Sequence, residues 1–382
     1  MKKTKIVIFI DWYLPAYKAG GPVKSIANLI ELLKDKAEFY LITGDRDLGD
    51  NVPFEGIELN KWTSNNGVNL LYLNKKKQSI YTYKEQLNLI QPDIVYINGI
   101  FSINFSIKPL FASKNKTKTI IAPRGMLGEG ALKIKSFKKR FFLKLTNFLG
   151  LYKNVIWHVT DDTEKNEVQI NINNYKEVYV IPNVPIKVNK EIFQLKEKSE
   201  NKLKLVFISR ISKKKNLYFL LELINDLKSN QNIELDIWGP IEDKYYFNKC
   251  KNLIDTINQY NKNTVYYKGE LIWNEIENTI KKYDFFILPT LHENFGHVIF
   301  ESLTFGVPVI ISNNTPWRNL QQLKMGWDLD LNNKDEWIRA ITAALKMTKY
   351  EYNEYCIKCI DFTKKWFSEQ KLSDKYSILF NL

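Results

Sequence analysis

His292-Glu293-Asn294-Phe295-Gly296-His297-Val298-Ile299-Phe300-Glu301-Ser302-Leu303 follows an apolar run, Phe285–Leu288, that stops at Pro289. It leads into Gly306-Val307-Pro308-Val309-Ile310. The short β-branched and aromatic runs on either side read as buried strands, and the twelve residues between them as a loop and a helix beginning near Gly296. That is one βαβ crossover, the unit of a parallel sheet. Glu293 falls in the loop and Glu301 in the first turns of the helix. Amide groups at a glycine-led helix start are suited to phosphate. A carboxylate a turn further on can accept hydrogen bonds from both hydroxyls of a ribose, as acidic residues do in dinucleotide sites. Glu293, outside the helix, is placed to meet whatever the phosphate carries. Unpaired buried carboxylates are costly, so two of them in so apolar a stretch imply partners.

A source of partners stands upstream. Leu203–Ile208 reads as another strand, and Ser209-Arg210-Ile211-Ser212-Lys213-Lys214-Lys215-Asn216 follows it directly. In open α/β sheets ligands gather at the carboxyl ends of strands. An arginine can fork onto phosphate oxygens while a lysine supplies a point charge. Arg210 and Lys215 are therefore the candidates for holding a diphosphate. Lys213 and Lys214 read as a solvated turn.

The same alternation extends in both directions. In the first half, strand candidates are Ile6–Ile10, Phe39–Thr43, Leu70–Leu73, Ile94–Ile97, Thr119–Ala122, Val155–Val159 and Val178–Ile181. The second half offers Leu203–Ile208, Leu235–Trp238, Val265–Lys268, Phe285–Leu288 and Val307–Ile311. Amphipathic stretches separate them. The polar segment Lys187–Lys202 has no hydrophobic period and reads as a linker. The chain of 382 residues thus divides into two α/β domains, 1–186 and 203–364, with 365–382 expected to return to the first as a terminal helix. Ahead of the helix with apolar positions Val23, Ile26, Ala27, Ile30 and Leu33 stands Gly20-Gly21-Pro22, a second glycine-led helix start.

Composition narrows the class. The longest early apolar run is five residues, Ile6–Ile10, far short of the roughly 20 of a membrane span and of a signal peptide's apolar core. A cytoplasmic protein is expected. The three cysteines make no disulfide framework, and Cys356-Ile357-Lys358-Cys359 lacks the second ligand pair of a structural zinc site. Asp328-Leu329-Asp330 is spelled like a metal-binding pair but falls on a late strand away from the cations, so no metal is expected. The net charge is +14, and seven of the cations lie between Ala131 and Lys153 without one acid. Such a stretch points to nucleic acid, an anionic membrane or an anionic substrate. Within Leu132–Tyr152, Ile134, Phe137, Phe141, Leu145, Phe148 and Tyr152 recur at spacings of three and four. They make one apolar stripe on a helix, either turned to the core or laid on an anionic membrane.

The pair Glu293-x7-Glu301, followed by Gly-Val-Pro-Val and preceded by Arg210-x4-Lys215, resembles the retaining glycosyltransferases of family 4. Gly20-Gly21, Ile181-Pro182-Asn183 and Trp366-Phe367-Ser368 extend the resemblance over most of the chain. It implies the GT-B fold, two Rossmann-like domains facing across a cleft, and a nucleotide-diphosphate sugar as co-substrate with no cofactor and no metal. It assigns Arg210 and Lys215 to the donor diphosphate, Glu301 to the ribose and Glu293 to the transferred sugar, with Arg210, Lys215 and Glu293 as the catalytic set. Asn294, Phe295, Gly296, His297, Val298 and Ile299 complete the donor site, and Gly20 and Gly21 close on the diphosphate from the other domain. The acceptor implied is a saccharide, commonly lipid-linked, in cell-surface polysaccharide assembly, with the enzyme peripheral on the inner face of the plasma membrane. Two positions depart from the family. Pro123-Arg124-Gly125 stands where many relatives have a histidine, which makes Arg124 a candidate for the acceptor or the donor phosphate, or else a structural arginine, and Asn98 is a candidate for the acceptor cleft. Asn216 replaces a commoner glycine. His158 is expected as a buried structural histidine or a site group with equal weight. A sugar-nucleotide epimerase on the same fold and a non-enzymatic polyanion binder are the competing readings. No stacking motif or nucleic-acid module accompanies the charge.

Overall fold

The buried apolar residues lie mainly on two sheets of largely parallel strands and on the helices that cover them. The computed structural model describes residues 3–114, 117–133, 136–187, 196–199, 201–227, 232–260 and 262–382, with only the backbone of 133 and 136. Most of the expected linker, 188–195 and 200, therefore lies outside the described residues, as do Ile134 and Lys135.

The chain divides into two units, Met1–Val184 with Lys371–Leu382, and Pro185–Gln370. The first contains β1 (Thr4–Phe9), β2 (Ala37–Gly44), β3 (Trp62–Asn65), β4 (Val68–Leu73), β5 (Ile94–Asn98), β6 (Lys118–Ala122), β7 (Ile156–Val159) and β8 (Glu177–Val180). They form one sheet in the order β3-β4-β2-β1-β5-β6-β7-β8. Only the β3–β4 pair is antiparallel. Val7, Ile8 and Phe9 on β1 are fully buried, as are Val95, Tyr96 and Ile97 on β5. Strands covered on both faces read as unbroken apolar runs, and those runs carried the strand assignments.

The second unit has β9 (Leu203–Ile208), β10 (Ile233–Trp238), β11 (Thr264–Gly269), β12 (Phe285–Leu288), β13 (Val309–Ser312) and β14 (Gly326–Leu329). Their order is β11-β10-β9-β12-β13-β14, parallel throughout. Each sheet winds one way from its first strand and then the other. Each thus has a switch point, between β1 and β5 and between β9 and β12, where such sheets take ligands.

Three departures from the sequence reading have physical causes. The hairpin strand β3 is polar and half exposed, so it carries no apolar run. Its signal was the turn Asn66-Gly67, with φ of 49° and 79°, the two left-handed residues a tight hairpin demands. Leu132–Tyr152 is not one helix. Helix Ser136–Phe148 stops short of Tyr152, which is buried edge-on against Trp157 at 5.3 Å. At the far end, helix Lys349–Gln370 continues past residue 365, because Trp366 packs on Phe295, Phe300 and Trp317 of the second unit. Only Lys371–Leu382, with helix Leu372–Phe380, joins the first unit.

Candidate functional site

In the second unit the chain leaves β9 into Ser209 and Arg210 and leaves β12 into Pro289 and the Glu293 loop, so both segments emerge at the switch point. The first exit is crowded. A Cβ on Gly239, which follows β10 with φ 136°, would lie 1.9 Å from the Ser209 carbonyl oxygen, so only glycine lets β10 pass there. Arg210 forms an ion pair with Glu242 at 3.1 Å, and Ile211 bridges Ile241. Lys213–Lys215 makes one short 3-10 turn, closed by Asn216 at φ 58°. That left-handed backbone is why glycine suits the position, and asparagine is the side chain that best tolerates it.

Lys215 donates to Glu293 Oε1. The two sequence candidates 78 positions apart thus meet side chain to side chain. Burial, with Lys214 and Arg210 close by, pushes the Lys215 ammonium well below the ordinary lysine range, against a smaller opposing pull from Glu242. The Glu293 loop is tied down by its own amide, which donates to the Asn314 carbonyl at 3.0 Å, and by Leu291, whose N–H reaches the Lys214 carbonyl at 2.8 Å. That second bond fastens the β12 exit to the β9 exit. Gly296, at φ 75°, caps helix His297–Thr304, and a Cβ there would meet Ile299 Cδ1 at 2.8 Å. Glu301 is buried on that helix. Phe295 and Ile299 point into the core, with Trp317 Nε1 donating to the Phe295 carbonyl at 2.6 Å. What these two can offer a ligand is backbone. Val298 is half-buried against the core.

Asp328 accepts from the amides of Leu320 and Asn319 at 2.8 and 3.2 Å, and Asp330 accepts from Asn332 at 2.9 Å. Both therefore shape turns. Cys356 and Cys359 are buried in the core of the second unit.

The first unit's switch point has a different character. Gly20, at φ 71°, caps helix Gly21–Leu33, with Pro22 in its first turn. Arg124, itself at φ 56°, follows β6 and donates to Asn98 Oδ1 through Nε at 3.1 Å and Nη2 at 2.9 Å. It also donates to Tyr96 Oη at 2.9 Å and to Asn183 Oδ1. The relay continues inward. Tyr96 O–H donates to His158 Nδ1 at 2.6 Å, and His158 Nε2 donates to the Ile181 carbonyl at 2.9 Å. Burial, reinforced by Arg124, pushes the His158 imidazole down to about 3. His158 is thus the buried structural histidine of the two readings. Tyr376, on helix Leu372–Phe380, donates to the Pro182 carbonyl at 3.1 Å. Asn98 has both arginine donors on its oxygen, and its buried Nδ2 has no partner among the described residues.

Asp11 was missed by sequence reasoning. It follows β1 directly, accepts from Ser102 Oγ at 2.6 Å, and burial pushes its carboxyl up to about 6. Its only signal was an acid closing the run Ile6–Ile10.

Solved structures of similar shape cover the whole chain. A sucrose-phosphate synthase from Thermosynechococcus elongatus superposes with a TM-score of 0.71 over 100% of this chain and 98% of its own, at 12% identity. HepE of Anabaena, solved with UDP and glucose, gives 0.70 over 99% of each chain at 13% identity. The chain has the GT-B fold. Residues 188–366, most of the second unit, match the family described as Glycosyl transferases group 1. At the level of sequence, a protein of the cps region of Klebsiella pneumoniae, described as an uncharacterized 41.2 kDa protein, is 24% identical over 231 residues. The match takes in 58% of this chain and 60% of that protein.

Proposed function

We propose that this GT-B protein is a metal-independent, retaining glycosyltransferase of family 4 that moves a sugar from a nucleotide-diphosphate sugar to a saccharide acceptor. One observation carries the reading. The two exits flanking the switch point of the second sheet deliver Arg210 and Lys215 from β9 and Glu293 from β12, with Lys215 on Glu293. A diphosphate seated there would take over Arg210 and Lys215 from Glu242 and Glu293. As the sugar–phosphate bond breaks, charge grows on the leaving phosphate, and two fixed cations stabilise it more in the transition state than before it. Released from Lys215, Glu293 is free to accept from hydroxyls of the transferred sugar. Glu301 takes the ribose, and Gly20, Gly21 and residues 294–299 contribute backbone and shape.

Asn98 and Arg124 serve the acceptor, Arg124 by fixing Asn98. The match to a cps-region protein favours polysaccharide assembly, and a lipid-linked saccharide is the acceptor proposed, met at the inner face of the plasma membrane. Incubation with labelled sugar nucleotides and a saccharide acceptor tests the reading. Release of nucleoside diphosphate with transfer of label supports it. Isomerised donor without transfer would make the protein an epimerase, and unchanged donor a binder.

A further inference from the structure

The basic helix turns its apolar stripe away from its own core. At about 100° per residue, Phe137, Phe141, Leu145 and Phe148 fall within about 80° of arc on helix Ser136–Phe148. All four face solvent, at 82%, 61%, 44% and 88% exposure. The opposite face is the one that packs. Leu143 and Thr146 are buried, Phe142 meets Phe101 at 5.7 Å, and Lys139 bends over the Phe101 ring while donating to the Ala131 carbonyl at 2.7 Å. Leu149, just past the helix, is exposed as well. A surface helix normally puts its apolar stripe inward. Here the fold has kept a narrow inward face and left three aromatic rings in water.

Charge says what covers them. Lys138 borders the stripe on one side and Lys144 and Arg140 on the other, all exposed, and no acid occurs from Ala131 to Lys153. A second copy would bring two such surfaces together, with like charges opposed along both edges. A surface that is anionic above and apolar below matches both features, and that is a lipid bilayer bearing acidic headgroups.

We propose that the outward face of helix Ser136–Phe148 is an insertion surface for an anionic bilayer, with Phe137, Phe141 and Phe148 entering the headgroup boundary and Lys138, Arg140 and Lys144 on the phosphates. It deepens the preceding reading by placing the first unit where a lipid-linked acceptor is found, and it is testable without any transfer assay. Vesicles of phosphatidylglycerol and phosphatidylethanolamine should sediment the protein at low salt, while phosphatidylcholine vesicles should not. The triple variant K138E/R140E/K144E should lower the bound-to-free ratio at least about tenfold. F137S/F141S/F148S should retain binding at low salt and lose it as salt rises. The F141W variant should shift its emission to the blue on anionic vesicles only. Wild type left in the supernatant at low salt would overturn the proposal, as would salt-resistant binding by the triple serine variant. Self-association abolished by that variant, seen by sedimentation velocity, would assign the face to a second copy instead. Both triple variants should process a soluble acceptor like wild type. Failure of transfer with vesicle binding intact would count against the enzymatic reading alone.

Discussion

Each sheet has an arginine just past the carboxyl end of a strand, β9 in one and β6 in the other, and the two arginines are held in opposite ways. Arg210 has a carboxylate, Glu242, and its neighbour Lys215 has another, Glu293. Arg124 donates its hydrogen bonds to neutral oxygens, those of Asn98, Asn183 and Tyr96, and meets the buried Glu164 carboxylate only through its charge. An ion pair at a sheet edge can be exchanged for a ligand anion at modest cost, because one anionic partner replaces another. A guanidinium that has committed four N–H bonds to buried neutral groups cannot be redirected without orphaning them. The second unit's edge is therefore set up to exchange partners, and the first unit's edge to hold a shape.

The comparison breaks if Arg210 proves dispensable. Arg210→Ala should lower turnover by roughly 10²–10³ in steady-state assays while the protein stays folded, and Arg210→Lys should fail similarly because the fork is lost. Turnover within threefold of wild type would remove Arg210 from the site. Arg124→Ala should behave otherwise. Leaving buried acceptors unpaired costs about 1–3 kcal/mol, so the melting temperature should drop, while affinity for a nucleoside diphosphate stays near wild type. Loss of nucleotide affinity with unchanged melting would mean that Arg124 is an anion ligand. Glu301→Gln should weaken calorimetric binding of nucleoside diphosphate by about 1–2 kcal/mol, and unchanged affinity would make Glu301 structural.

Two pH tests sharpen the contrast. The Lys215 ammonium lies well below the usual lysine range in the free protein, so on the alkaline side it is partly neutral, and an arriving diphosphate must re-protonate it. Nucleotide binding should take up protons and weaken as pH rises, measured by calorimetry in buffers of different ionisation heat. Lys215→Arg should abolish the uptake. In the first unit, His158 is pushed down to about 3 from an ordinary 6.5, so the unfolded chain binds the proton that the folded one refuses. Stability linked to His158 is fully present above about 6.5 and is lost as pH falls toward 3. The melting temperature should decline over that window, and His158→Gln should flatten the decline.

The same contrast explains what the sequence could reveal. The second site was legible because its chemistry is local. Arg210 and Lys215 lie in one turn and Glu293 and Glu301 in one loop and helix start, each after an apolar run that marks the strand. The first unit's network draws on Tyr96, Asn98, Arg124, His158, Asn183 and Tyr376, spread over most of the chain, and no spacing rule ties them together. Asn216 was readable as a departure, but only its φ of 58° shows why it is harmless. The stripe on helix Ser136–Phe148 was visible as a period, yet a period cannot say which way it faces. That depends on Phe101 and Ala131, which claim the other side.

Helix Leu372–Phe380 has a consequence for how the protein is made. Tyr376, Leu379 and Phe380 are buried in the first unit, with Phe380 packed on Tyr96 at 5.4 Å. Every residue of the second unit is translated before them. On the ribosome, then, the second unit has all its residues while the first, though begun earlier, still lacks the helix that covers Tyr96 and His158. Synthesis runs from one end to the other, but completion runs the opposite way. A chain that stalls after Gln370 would present a finished second domain beside an unsealed first one.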